Sequence, residues 1–258
     1  MATAFRYPTG ARPLLIEETA RRRMLEARVV ALLEAANFAE IVLPVIDFAE
    51  PYAGIGHAAS KRSYRFTDRD GELVAVRSDF TPMVARALAP SLNGNLPLRV
   101  FYRGDVIRCD ASRLGKNREL FQIGAEIVGD PSRDADLEML HLAAAIAAIF
   151  SESPLVVYSG GQHIDDPRFV EHDDTVSSSG SSRSLGFLGG VGSGRLLPSE
   201  EPRGTPRNSE ERGYYTGVRF WVYGDERRAP LAQGGRYDTL YERFGKRAPA
   251  VGFTFTVN

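Results

Sequence analysis

Apolar residues change period several times along this chain, and each change marks an element. Between residues 15 and 36, LIEETARRRMLEARVVALLEAA, the positions Leu15, Met24, Leu25, Val29, Leu32 and Leu33 recur near helical spacing, which predicts the clearest helix of the chain. The pattern then switches to a β-rich run, Glu40-Ile41-Val42-Leu43, closed by Pro44, whose missing N–H suits a strand end or a sheet edge. Residues 63–67 and 72–77 (SYRFT and ELVAVR) flank Asp68-Arg69-Asp70-Gly71, and Asp-Gly between two alternating runs predicts a hairpin. SDFTPMVARALA follows as a helix opened by Asp79 or Thr81, with Pro82 in its first turn.

A second hairpin is predicted over Arg99 to Gly129, RVFYRGDVIRCDASRLGKNRELFQIGAEIVG, as strand, polar loop, strand. Asp134 to Phe150 is an Ala-rich helix and Pro154 to Tyr158 a short strand. YYTGVRFWVYG from Tyr214 is an alternating strand, followed by a Gly-rich turn and a final strand, GFTFTV. From about Asp173 to Glu211, Ser, Gly, Pro and charge dominate; such a stretch buries little apolar surface and reads as an insertion or long loop. Strands outnumber helices and are mostly joined as hairpins. The expected fold is α+β, an antiparallel sheet flanked by helices, in one domain over residues 1–258 with the insertion at about 173–211.

Composition narrows the partners more than the fold. With 43% apolar and 25% charged residues in 258, the chain is ordinary for a soluble globular protein. No apolar run approaches the roughly 20 residues of a membrane helix, and MATAFRYPTG has no secretory h-region. The single Cys109 excludes an internal disulfide and fits a reducing compartment, so a cytoplasmic protein without membrane contact is expected. A net charge of -1 argues against nucleic acid, and Arg21-Arg22-Arg23 lies near Glu17, Glu18 and Glu26, as on a solvated, salt-bridged helix face. His57, His141, His163 and His172 fit no metal-ligand spacing. Gly189 to Arg195, GGVGSGR, lacks the Lys-Ser/Thr and the preceding strand of a phosphate loop and reads as linker. Neither a cofactor nor a metal is expected.

The second hairpin carries the best candidate chemistry. Gln122 and Glu126 are an even number of residues apart, so on a regular strand an amide and a carboxylate converge on one face. Arg108 can reach that face across the hairpin and suits a carboxylate or phosphate. Together they describe a pocket for a small zwitterion or an anion. Asp79 and Thr81, where a strand ends and a helix starts, either hold an ammonium group or cap the helix. Tyr214-Tyr215-Thr216-Gly217 and Gly234-Gly235-Arg236-Tyr237-Asp238 are open in the same way: the glycines permit close approach to a ligand or serve a turn.

Taken in order, these segments resemble the catalytic core of class II aminoacyl-tRNA synthetases, specifically the histidyl branch. The first helix with ANFAEIVLPVID looks like motif 1, and Arg99 to Gly129 looks like motif 2. SYRFTDRDGELVAVRSDFTPMVAR looks like the segment that holds the histidine amino group. ERGYYTGVRFWVYG and AQGGRYDTL look like the two histidine-specific segments, and APAVGFTF like the start of motif 3. The resemblance covers nearly all of the chain apart from about residues 159 to 211. It implies that Asp79, Thr81 and Gln122 hold the α-amino group of histidine and that Arg108 faces its carboxylate. Glu126 and Tyr215 would hydrogen-bond the imidazole, while Tyr214 and a Gly234-Gly235-Arg236-Tyr237 turn would close the pocket.

The departures from the synthetase pattern point to a branch of the family. Asp79 stands where synthetases carry Glu, and Ile107-Arg108-Cys109-Asp110 stands for their Phe-Arg-x-Glu. Registered on the tyrosine pair, the catalytic Arg falls at Glu210, with Arg212 two residues away. The chain ends at Asn258, before the motif 3 Arg and any anticodon-binding domain. The expectation is that aminoacylation is lost. The Asp-x-Thr form at Asp79-Phe80-Thr81 is similar to the ATP phosphoribosyltransferase regulatory subunits. That family implies a non-catalytic subunit bound to a short-form catalytic subunit, needed for the first step of histidine biosynthesis and mediating feedback inhibition by L-histidine. It also implies a homodimer through the motif 1 region. The alternative is a truncated histidyl-tRNA synthetase-like enzyme that forms histidyl-adenylate.

Overall fold

The structure, a computed structural model, describes residues 6–55, 63–94, 96–109, 117–161, 163–172, 214–225 and 229–257. The expected insertion from 173 to 211, Glu210 and Arg212 lie outside the described residues. The elements in chain order are α1 (Ile16–Ala35), β1 (Ala39–Glu40), β2 (Ile46–Phe48), β3 (Arg65–Thr67), β4 (Leu73–Val76) and α2 (Thr81–Leu88). They continue with β5 (Leu98–Ile107), β6 (Glu119–Val128), α3 (Arg133–Ala147), β7 (Leu155–Ser159), β8 (Phe169–Glu171), β9 (Arg219–Tyr223), β10 (Pro230–Arg236) and β11 (Ala250–Val257).

Eight strands form one sheet in the order β1-β5-β6-β11-β10-β9-β7-β8. Its central pairings are antiparallel, as the hairpin pattern predicts, but the edge pairs β1·β5 and β7·β8 are parallel. The fold is therefore α+β around a mixed sheet. One sheet face packs on α3. Phe101, Ile123, Ala125, Ile127, Phe253, Phe255, Phe220 and Val222 point that way and share one core with Met139, Leu140 and Ala143 of α3 and Val29 and Leu33 of α1. Each large side chain buried there contributes roughly 1.5–3 kcal/mol. Ser132 starts α3 by accepting the Ala135 N–H, and Asp134 and Asp136 lie in the first turn, where the helix dipole favours negative charge. Ala143, Ala144 and Ala147 are buried in the same core beside Met139, Leu140 and Ile146 of α3.

The register fixes what the other face carries. Val100, Tyr102 and Gly104 on β5 oppose Glu126, Gly124 and Gln122 on β6, which oppose Gly252, Thr254 and Thr256 on β11. Gly252 and Thr254 in turn oppose Gly235 and Gln233 on β10. Directly paired residues project to the same side, so this row is a single polar and glycine-rich surface.

A second, three-stranded antiparallel sheet, β2-β4-β3, stands beside α2. Its hairpin turns as the sequence predicts: Asp68 accepts the Asp70 and Glu72 N–H groups, and Gly71 takes a φ of 86°. One face of this sheet shows Ile46, Phe48 and Phe66 to solvent, each more than 40% exposed, around a buried Val74.

Three expectations are corrected. Glu40 to Leu43 is not a strand beyond Glu40. The Ile41 N–H still bonds the Phe101 carbonyl, but the chain then leaves the sheet, and Val42 is 90% exposed. The strand expected from Tyr214 starts only at Arg219. The Gly-rich turn at Gly234-Gly235 is instead the interior of β10, paired on both sides. No described helix is long and apolar enough to cross a membrane.

Candidate functional site

The site is built on the polar face of the large sheet, and three of its glycines give it room. The Tyr102 ring lies flat on Gly124, the Tyr215 ring on Gly235, and the Glu126 carboxylate on Gly252; a Cβ at any of the three would overlap the covering group. Backbone without side chains thus lets large polar residues lie along the sheet surface. Glu126 is 1% exposed. Its Oε1 accepts two hydrogen bonds, from the Thr81 hydroxyl at 3.0 Å and the Tyr102 hydroxyl at 3.1 Å. Tyr102 in turn sits 2.9 Å from the Thr254 hydroxyl. Among the described residues, Glu126 Oε2, buried over Gly252, has no hydrogen-bond partner, and neither has the buried Tyr237 hydroxyl. That hydroxyl lies 2.7 Å from where a Cβ of Gly252 would stand, so two unpaired polar atoms flank one point of the sheet.

Electrostatics follow from this burial. Loss of water, with a smaller push from the negative charge of Asp79, raises the Glu126 carboxyl to about 8, against the lowering effect of its two donors. Burial likewise raises Tyr102, Tyr214 and Tyr215, with Asp79 adding to each. All of them are uncharged near neutrality. Asp79 is half-buried and accepts the Thr81 N–H at 3.2 Å, so it caps the start of α2 and faces the site as well. Of the two readings of Asp79 and Thr81, the helix-start one is present: Asp79 accepts the Thr81 N–H, while the Thr81 hydroxyl is bonded to Glu126.

The segment Arg77 to Thr81 is held by two arginines. Arg77, 7% exposed, donates to the carbonyls of Leu43 (2.9 Å), Pro44 (3.2 Å) and Asp105 (2.8 and 3.0 Å), with its guanidinium 4.1 Å over the Phe80 ring. A Cβ at Gly104, whose φ is 150°, would stand 2.8 Å from that guanidinium, so glycine is required there. Arg108 lies one residue past β5 and donates from Nε to the Ser78 carbonyl at 3.1 Å. That bond puts it beside the Asp79 segment.

The structure brings most, not all, of the expected residues together. Asp79, Thr81, Gln122, Glu126, Tyr215, Gly235 and Tyr237 share the polar face or border it. Gln122 is buried and lies 3.5 Å from the Thr256 hydroxyl. Tyr214 stacks on Tyr237 at 5.6 Å and meets Tyr215 edge-on at 5.0 Å. Gly234 and Arg236 are on the opposite face and are corrected. Gly234 opposes Phe253 and Phe220, and a Cβ there would overlap the Gly252 carbonyl. Arg236 pairs with Val251 and reaches α3, bonding Asp136 and the carbonyls of Asp130 and Ser132. Because β10 is a strand, its neighbours alternate faces, and a turn cannot deliver all four residues to one pocket. Tyr102, Thr254 and Gly252 belong to the site and were missed. Tyr102 and Gly124 differ from Glu126 by even steps on paired strands, but only the register shows that they meet.

No described group of three or more His, Cys, Asp or Glu side chains could hold a metal. The arrangement offers a buried acceptor, hydroxyls that can donate or accept, and an acidic residue at a helix start. These are contacts for a small cationic or N–H-bearing molecule. The family model for histidyl-tRNA synthetase matches residues 10–160 and 206–258. The chain is 29% identical to an ATP phosphoribosyltransferase regulatory subunit of Geobacter sulfurreducens, over 97% of this chain and 71% of that protein. It is 30% identical to the protein of the same name from Symbiobacterium thermophilum, over 99% of this chain and 79% of the other. Among solved structures, an ATP phosphoribosyltransferase regulatory subunit/histidyl-tRNA synthetase from Bacillus halodurans superimposes with a TM-score of 0.74 at 18% identity, over 99% of this chain and 82% of that one. The apo histidyl-tRNA synthetase of S. aureus gives 0.69 at 19% identity, over 98% and 68%.

Proposed function

The chain belongs to the histidyl-tRNA synthetase family, and we propose that within it the protein serves as a non-catalytic, histidine-sensing regulatory subunit of ATP phosphoribosyltransferase. The observation that carries the reading is the buried Glu126, with one oxygen satisfied by Thr81 and Tyr102 and the other unpaired beside the Tyr237 hydroxyl. One imidazole nitrogen complements the unpaired Glu126 oxygen, and the Tyr215 hydroxyl takes the other. Asp79, Thr81 and Gln122 take the α-amino group, Arg108 the carboxylate, and Tyr214 and Tyr215 wall the ring. Gly234 and Arg236 hold the sheet and α3 together and do not touch the ligand. A histidine bound here acts on a remote catalytic subunit through a coupling free energy between the two sites.

Dimerisation belongs to the same proposal. The solvent-facing Ile46, Phe48 and Phe66 of the small sheet form apolar surface that a second copy of this chain would cover. Calorimetry with free histidine tests the pocket. Saturable one-to-one binding is expected, and no heat at millimolar histidine, with or without the catalytic subunit, counts against sensing. The retained Arg108 and Gln122 favour one other reading, a synthetase-like enzyme making only histidyl-adenylate. Histidine-dependent exchange of pyrophosphate into ATP would establish it and displace the regulatory reading.

A further inference from the structure

Tyr102 is fully buried, and the binding arrangement proposed above gives it no contact with a ligand. Its place follows from the register. Tyr102 on β5 opposes Gly124 on β6, and Gly124 opposes Thr254 on β11, so the three form one row across the sheet. The ring crosses the bare backbone of Gly124, where a Cβ would overlap its hydroxyl end. That crossing brings the hydroxyl 2.9 Å from the Thr254 hydroxyl and 3.1 Å from Glu126 Oε1. The ring also stacks on Phe80, with centroids 4.5 Å apart and planes 19° apart, and Phe80 carries the Arg77 guanidinium at 4.1 Å. Phe80 and Arg77 are themselves buried, so the ring is held in one position.

The two neighbours of the hydroxyl fix its proton. It has one to give, and Glu126 Oε1 accepts it, so at Thr254 it accepts in turn. The bonds then run in one direction, from Thr254 through Tyr102 to Glu126. With the Thr81 hydroxyl at 3.0 Å, Oε1 has both of its lone pairs engaged. The last torsion of a glutamate is broad, so a carboxyl held at one point can still turn. Two donors on one oxygen stop that rotation and leave the other oxygen over Gly252, without a partner among the described residues.

We propose that Tyr102 is a positioning residue of the pocket, which holds the plane of the Glu126 carboxyl in its binding orientation without touching the ligand. The inference rests on the histidine-pocket reading. In that reading the Thr81 hydroxyl also meets the ligand's amino group, so Tyr102 is the donor to Glu126 that the ligand does not share. A carboxyl already held still loses no freedom when a ligand arrives; one that has lost a donor must be ordered by the ligand, at a cost in affinity.

The test is Tyr102→Phe, which keeps the ring, its stacking on Phe80 and its crossing of Gly124, and removes only the hydroxyl. Calorimetry of the full chain with histidine is expected to show an affinity weakened by about tenfold. The second readout is the carboxyl itself. Burial raises the Glu126 titration to about 8 and the Tyr102 hydroxyl opposes the rise, so in the variant it moves to still higher pH. The carboxyl 13C resonance of ligand-free, glutamate-labelled chain follows that titration. A residue that merely fills the core would lower the melting temperature and leave both the affinity of the folded chain and the titration in place. Thr254→Val keeps the bond from Tyr102 to Glu126 and is expected to weaken binding less than Tyr102→Phe does. Wild-type affinity in Tyr102→Phe, an unmoved Glu126 titration, or a larger loss in Thr254→Val overturns the positioning role and leaves the pocket standing. A wild-type chain that binds no histidine overturns the pocket reading itself.

Discussion

Glu126 sits where water is excluded and Asp79 adds a like charge, so its carboxyl stays protonated up to about 8. Relative to an ordinary value of 4.5, the folded state binds more protons than the unfolded chain between about 4.5 and about 8. Stability of the ligand-free protein contributed by this residue is therefore full below that window and falls as pH rises through it, by at most about 1.4 kcal/mol per pH unit. Thermal unfolding of wild type and Glu126→Gln across the window should show a steeper decline in the wild type; equal slopes would remove the argument for a buried neutral acid. Gly252 makes the complementary case. A Cβ there would overlap the Glu126 carboxylate and stand 2.7 Å from the Tyr237 hydroxyl. Gly252→Ala should cost about 1–3 kcal/mol in urea unfolding and weaken histidine binding by at least about tenfold. Unchanged affinity would mean that Glu126 does not contact the ligand.

Elements explain why these residues meet and where sequence reasoning stopped. The even spacing of Gln122 and Glu126 was legible because a strand alternates faces, and both prove to be buried on the polar side of β6. The long helix, the Asp-Gly hairpin and the Pro82 helix were legible because each rests on local chemistry within a few residues. What lay hidden depends on register between distant strands. Gly234-Gly235 read as a turn because two glycines permit one, yet between β9 and β11 they are a place where rings and carbonyls press on the backbone. Alternation then sends Arg236 away from the pocket, to Asp136 on α3 and two carbonyls, in a site 6% exposed. Arg236→Met should lower stability by about 3 kcal/mol or more, since it leaves a partly buried carboxylate and carbonyls without their donor. Histidine affinity of the folded fraction should not change. A selective loss of affinity with stability intact would return Arg236 to the pocket.

For the whole molecule, the pocket and the exposed apolar surface lie on connected parts. Arg77 joins them through the carbonyls of Leu43 and Pro44 on the way to β2 and that of Asp105 on β5. If a second copy covers Ile46, Phe48 and Phe66, sedimentation at micromolar concentration should give twice the mass of one chain. The double change Phe48→Glu with Phe66→Glu should reduce it to one, because like charges would be buried against each other across the two-fold interface. A wild-type monomer would contradict this assignment. The central claim is that histidine here regulates a partner's activity. Its most direct test is phosphoribosyl-ATP formation by the short-form catalytic subunit, alone and reconstituted with this chain, with and without histidine. The account predicts that the chain raises the rate and that histidine suppresses the reconstituted activity in a saturable way. Activation that histidine leaves untouched would contradict it.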